Sequence, residues 1–123
     1  TGNSRLHNAA HLCSLKQVSF LLQEGADMYA TNTVGEMPIS LAIAKEEVKT
    51  FEAFLKQGFK VNTQDGSGCT SLHYSALLND TYCVRLCLKY GASTKIKNNK
   101  GKLPHELTED EEILKLLGVT DKA

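Results

Sequence analysis

Gly68-Cys69-Thr70-Ser71-Leu72-His73 opens the stretch whose reading decides the fold. It begins a short helix running to about Leu78, followed by the turn Asn79-Asp80-Thr81 and a second apolar helix from Tyr82 to Lys89, stopped by Tyr90-Gly91-Ala92. Gly91 suits a left-handed helix-ending position, having no Cβ to clash there. The segment from Ala92 to Gly101 is polar, rich in Lys and Asn, and reads as an extended hairpin-like loop. This unit recurs: Gly2, Gly35, Gly68 and Gly101 stand 33 residues apart, and Gly25, Gly58 and Gly91 keep the same spacing. A fixed period of this size predicts a stack of small supersecondary units, and it turns attention from catalysis towards surface recognition.

The composition agrees with a soluble array. The 123 residues suffice for one domain with a continuous core, and 41% are hydrophobic against 23% charged. Fourteen basic and fourteen acidic side chains cancel, which argues against a generic polyanion binder, and no nucleic-acid partner is expected. No apolar run approaches the roughly 20 residues of a spanning helix, and no signal peptide is visible. The chain lacks an initiator Met and begins close to a repeat boundary, which reads as a fragment of a longer protein. Four cysteines raise the question of metal or disulfide. Cys83 and Cys87 share a helix face, but in register they fall where earlier units have Gln17 and Leu21, then Thr50 and Phe54. The Cys87 position is therefore expected to be apolar core, with Cys serving as a small hydrophobe. No C-x-x-C occurs, so neither zinc nor another cofactor is expected, and reduced thiols fit a cytoplasmic or nuclear compartment.

The repeated residues closely resemble the ankyrin repeat, whose pattern runs G-x-T-P-L-H-x-A-A, then V-x-x-L-L, then G-A-D-x-N-A. The first unit reads Gly2-Asn3-Ser4-Arg5-Leu6-His7-Asn8-Ala9-Ala10, then Val18-Ser19-Phe20-Leu21-Leu22, then Gly25-Ala26-Asp27. The second has Gly35-Glu36-Met37-Pro38-Ile39, Ala42, Phe54-Leu55, Gly58 and Val61-Asn62. The third keeps Thr70, Leu72, His73 and Gly91-Ala92, and the fourth has Gly101-Lys102-Leu103-Pro104 with a shortened second helix, Ile113 to Leu117. The resemblance implies an all-α ankyrin-repeat solenoid of stacked helix-turn-helix units with hairpin-like loops. It implies one domain over residues 1–123, with repeats near 1–31, 32–64, 65–97 and 98–118. The glycine that usually joins the two helices is replaced by Cys13, Glu46 and Asn79; Asn79 should tolerate the left-handed conformation best, while Cys13 and Glu46 should cost stability. Polar Asn8 and Gln17 suggest that the first repeat has no neighbour on its outer side, and the acidic run from Glu109 to Glu112 suggests a closing cap.

The same resemblance implies a non-catalytic module that binds a partner peptide or domain across a concave face lined by first helices and loops. Carried over by register, the exposed first-helix ends are His11-Leu12, Ala44-Lys45 and Leu77-Leu78, and the loop tips include Glu36, Gln64, Lys97, Lys100 and Lys102. Leu12, Tyr74, Leu77 and Leu78 form a candidate apolar hot spot, weighed against Leu77 tucking against the neighbouring helix and Tyr74 packing between repeats. His11, Lys45 and Glu36 complete the candidate surface. Lys95, Lys97, Lys100 and Lys102 form a basic loop that could attract an acidic or phosphorylated segment or an anionic headgroup, weighed against a simply solvated loop. His7 and His73 occupy the family's T-P-L-H position, where the imidazole bridges adjacent loops. Asn62 lies where some ankyrin proteins are hydroxylated. No nucleophile elbow or phosphate-binding glycine loop is present, and no catalytic residue is expected. The alternatives are an accessory domain of a larger enzyme or regulator, such as an Arf GTPase-activating protein, a lipid-transfer protein or a bacterial effector, and a phosphoinositide-binding surface. The partner is expected to be another protein or peptide, with the chain itself a monomer.

Overall fold

The computed structural model describes residues 2–45 and 47–119. Every regular element among them is helical: α1 (Arg5–His11), α2 (Leu15–Gln23), α3 (Pro38–Ala44), α4 (Val48–Lys56), α5 (Ser71–Leu77), α6 (Thr81–Lys89), a 3₁₀ turn (Pro104–Leu107) and α7 (Glu111–Leu116). The chain divides into two compact units, Thr1–Lys60 and Val61–Ala123. In the first, α1 packs on α2 and α3, and α4 packs on α2 and α3. In the second, α5 packs on α6 and on the 3₁₀ turn, while α6 packs on α7.

The starts of the first helices follow from short local signals. Ser4 caps α1 by accepting the His7 N–H at 3.2 Å, and His7 Nδ1 accepts the Ser4 N–H at 3.1 Å. Thr70 and His73 repeat the exchange at α5. This is a capping box with histidine where glutamate or glutamine is usual. In the fourth repeat Glu106 occupies the equivalent position, and its Oε1 accepts the Leu103 N–H at 2.8 Å. The second repeat has Met37 with no side-chain cap; Pro38 at the first helical position removes one orphan donor instead. Ser14, Asp80 and Asp110 cap α2, α6 and α7 by accepting the N–H groups of Gln17, Cys83 and Ile113.

The turns between paired helices carry strain. Cys13 has φ +57° and Asn79 φ +55°, the left-handed conformation that side chains with a Cβ rarely adopt. Asn79 gains some compensation, since its Oδ1 accepts the Thr108 hydroxyl at 2.6 Å. Glu46, the third residue at this position, lies outside the described residues.

Buried apolar side chains run along the inner stripes of the helices. In the first unit these include Leu6, Ala10, Val18, Ile39, Ile43, Phe51 and Phe54; in the second, Leu72, Ala76, Val84 and Ile113. Cys83 and Cys87 are fully buried in α6, as the register implied for Cys87, and desolvation pushes the Cys87 thiol up to about 12. The acidic run also finds a structural place: Asp110 caps α7, and Glu111 and Glu112 occupy its first turn, at the positive end of the helix dipole.

Candidate partner-binding surface

The loops are built on one device used three times. Asn32, Asp65 and Asn98 each donate their backbone N–H to the carbonyl four residues on (Glu36, Cys69 and Lys102, at 2.9–3.0 Å), and each accepts the N–H of the glycine three residues on. Each side-chain Oδ1 accepts two more backbone N–H groups: Val34 and Glu36, Ser67 and Cys69, Lys100 and Lys102. This is the Asx-type turn by which a short polar side chain mimics backbone. Position 32 and its 33-residue echoes were not singled out from the sequence, although their period matches that of the glycines. Gly68 is required for a different reason: at φ +76°, an added Cβ would stand only 2.7 Å from the Asn99 backbone nitrogen.

The buried histidines tie successive loops together. His7 Nε2 lies 2.7 Å from the Glu36 carbonyl, and His73 Nε2 lies 2.9 Å from the Lys102 carbonyl. A carbonyl only accepts, so Nε2 carries the proton and donates, while Nδ1 accepts the backbone N–H of the capping residue. These imidazoles are structural, as the T-P-L-H resemblance implied. Asn62 is similarly engaged, donating to the Gly91 carbonyl at 3.4 Å and accepting the Ser93 N–H at 2.8 Å. In the first repeat Tyr29 stands in that register. Its hydroxyl accepts the Lys60 N–H at 3.0 Å and its ring stacks on Phe59 with centroids 5.0 Å apart.

Three scaffold-bound residues were among the candidates for partner contact. Glu36 is half-buried; its Oε1 accepts the Asn32 amide, and its carbonyl serves His7. Tyr74 is half-buried, with its hydroxyl donating to Asp65 Oδ2, which pins α5 to the loop before it. Lys102 exposes its side chain, but its backbone carbonyl receives His73 and its N–H is held by Asn98.

The ends of the first helices are different. Leu12, Lys45 and Leu78 are the C-cap residues of α1, α3 and α5, and all three are exposed. Leu12 is 70% exposed, Leu77 53% and Leu78 36%, and His11 is open as well. Leu77 thus lies outside the core. Leu12, His11, Glu36 and Lys45 belong to the first unit; Tyr74, Leu77, Leu78 and the lysine loop belong to the second.

The lysine loop presents Lys95, Lys97, Lys100 and Lys102, each exposed. The two ion pairs found among the described residues, Lys56–Glu52 and Arg85–Glu112, involve none of them. Glu106 titrates below the usual carboxylate range, chiefly because the Leu103 N–H bonds its charged form, with Lys102, His105 and Lys97 adding to the effect.

Comparison with known proteins agrees with this architecture. Residues 6–98 match the family model for ankyrin repeats in three copies, so the chain belongs to the ankyrin repeat family. It is 33% identical over 81 residues to human ankyrin repeat domain-containing protein 40, covering 65% of this chain and 22% of that protein. It is 24% identical over 115 residues to alpha-latrotoxin-Lg1a of Latrodectus geometricus, covering 91% of this chain and 8% of the toxin. Among solved structures it resembles the crystal structure of the ankyrin repeat domain of Bcl-3, described as a unique member of the IκB family. The TM-score is 0.89 at 26% identity, over 95% of this chain and 52% of that one. The chain therefore spans less than a quarter of the length of these two curated relatives. The all-α ankyrin-repeat fold is established, and with it a fold that generally serves protein–protein interaction.

Proposed function

We propose that this single array of repeats is a non-catalytic interaction module that binds a peptide or domain of another protein, at the first-helix ends and neighbouring loop tips, the side the family resemblance makes concave. The observation that carries this reading is the exposure of Leu12, Leu77 and Leu78 at the C-terminal ends of α1 and α5. A few apolar anchors dominate the binding energy of many protein interfaces, and the adjacent exposed pair Leu77 and Leu78 offers such an anchor. His11 and Lys45 flank them with polar contacts. Tyr74 and Glu36 serve the site mainly by holding loop and helix in place. The test is affinity purification with the wild-type chain and the Leu77→Asp, Leu78→Asp variant side by side. The expected result is lost capture with an unchanged helical circular dichroism spectrum; capture that survives both substitutions would refute the reading.

A second reading rests on the exposed lysines of residues 95–102, none of them in an ion pair among the described residues, which suit an anionic partner such as a phosphoinositide headgroup. Replacing Lys95, Lys97, Lys100 and Lys102 by Ala should then abolish sedimentation with phosphoinositide-containing vesicles. Unchanged sedimentation would leave these side chains as solvating charge.

A further inference from the structure

The outer face of α1 and α2 holds an open groove of about 310 Å³, lined by Arg5, Asn8, Ala9, Gln17, Phe20 and Leu21. Its floor and wall are apolar, and Phe20 is 59% exposed. The side chains of Arg5, Asn8 and Gln17 ring it, and none of the three has a hydrogen-bond or ionic partner among the described residues. No lining residue is acidic.

The 33-residue register shows what kind of occupant this face suits. One and two periods later the Arg5 position holds Pro38 and Ser71, and the Gln17 position holds Thr50 and Cys83, all buried. The Asn8 position holds Leu41 and Tyr74, both half-buried. Small or apolar residues permit close cover there. Arg5, Asn8 and Gln17 do not: a helix pair laid over them would strip water from an unpaired guanidinium and two amides, and helix flanks offer few acceptors in return. The polar rim alone does not account for the exposed Phe20. A narrower occupant does. It would place one apolar side chain against Phe20, Leu21 and Ala9 while its own acceptors meet the rim donors, a carboxylate being the group that pairs in bidentate fashion with Arg5.

We propose that this groove is a docking site, separate from the first-helix ends, for a peptide segment of another protein in which an aromatic or aliphatic side chain is flanked by carboxylates. The probe is the synthetic peptide acetyl-Glu-Glu-Phe-Glu-Glu-amide, titrated into the full isotope-labelled chain and followed by amide chemical shifts. Saturable shifts concentrated on residues 5–9 and 17–21 are expected, with binding weakened about fivefold or more by Phe20→Ser and by Arg5→Glu. Phe20→Ser should leave the melting temperature unchanged because the ring is largely in water; if that variant unfolds, Arg5→Glu still reads the charge requirement. Three results would overturn the proposal. One is scattered or absent shifts, and a second is equal binding of the lysine-flanked counterpart. The third is shifts at these residues that grow with concentration of the peptide-free chain, which would assign the groove to a second copy.

Discussion

Backbone strain at single residues sets part of the stability of this protein. Cys13 holds φ +57°, and the side-chain hydrogen bond it makes among the described residues is a long one, 4.0 Å, from its Sγ to the His11 carbonyl, whereas Asn79 at φ +55° receives a short bond from Thr108. A left-handed conformation costs a residue with a Cβ about 1–2 kcal/mol, and glycine returns part of that through its greater freedom in the unfolded chain. Cys13→Gly is therefore expected to raise the unfolding free energy by about 0.5–1 kcal/mol in urea denaturation; a loss of stability would show that the thiol makes a contact worth more than the strain. This site was legible from the sequence because the joining glycine was missing from an otherwise regular pattern. The roles of Asn32, Asp65 and Asn98 were less legible, since asparagine and aspartate are ordinary loop residues and only their spacing marks them.

Among the elements, the helix starts show how one geometric task is met by different chemistry. His7, His73 and Glu106 all return a side-chain acceptor to the backbone N–H at the helix entrance. The two histidines also donate onward to the next loop, which fixes their tautomer, while Glu106 at the 3₁₀ turn acts as an anion in water. Because its folded-state value lies below the unfolded one, the Glu106 contact stabilises the fold above the unfolded glutamate range and is lost as pH falls through the folded value. Carboxyl titration by NMR should place the Glu106 midpoint below that of an ordinary glutamate, and Glu106→Ala should flatten the acid side of the stability–pH curve. A midpoint at or above the ordinary range would contradict the capping role. From the sequence, Tyr82 to Lys89 and Ile113 to Leu117 fall within two residues of the observed bounds of α6 (Thr81–Lys89) and α7 (Glu111–Leu116), because polar cap residues precede both helices and a glycine follows each. It missed Phe20 as an exposed group, since the family pattern allows apolar residues along the second helix and exposure depends on what covers that face.

For the molecule as a whole, the repeat period carried nearly all of the fold, because each unit meets the same local constraints and errors in one are corrected by the next. The binding surface was only partly legible. Register placed Leu12, Leu77 and Leu78 at helix ends, but whether a leucine there turns inward depends on packing that no single repeat specifies. Tyr74 and Glu36, candidates on the same surface, are half-buried and hydrogen-bonded into the scaffold, a detail that register alone does not specify. The most direct measurement of the central claim is site-specific photo-crosslinking of the partner captured by the wild-type chain. The crosslinking residue is placed in turn at Leu12, Leu77 and Leu78 and, as controls, at the exposed second-helix positions Lys49 and Lys89. Adducts from the three leucine positions and none from the two lysine positions are the result this account expects. Adducts confined to the second-helix positions would contradict it.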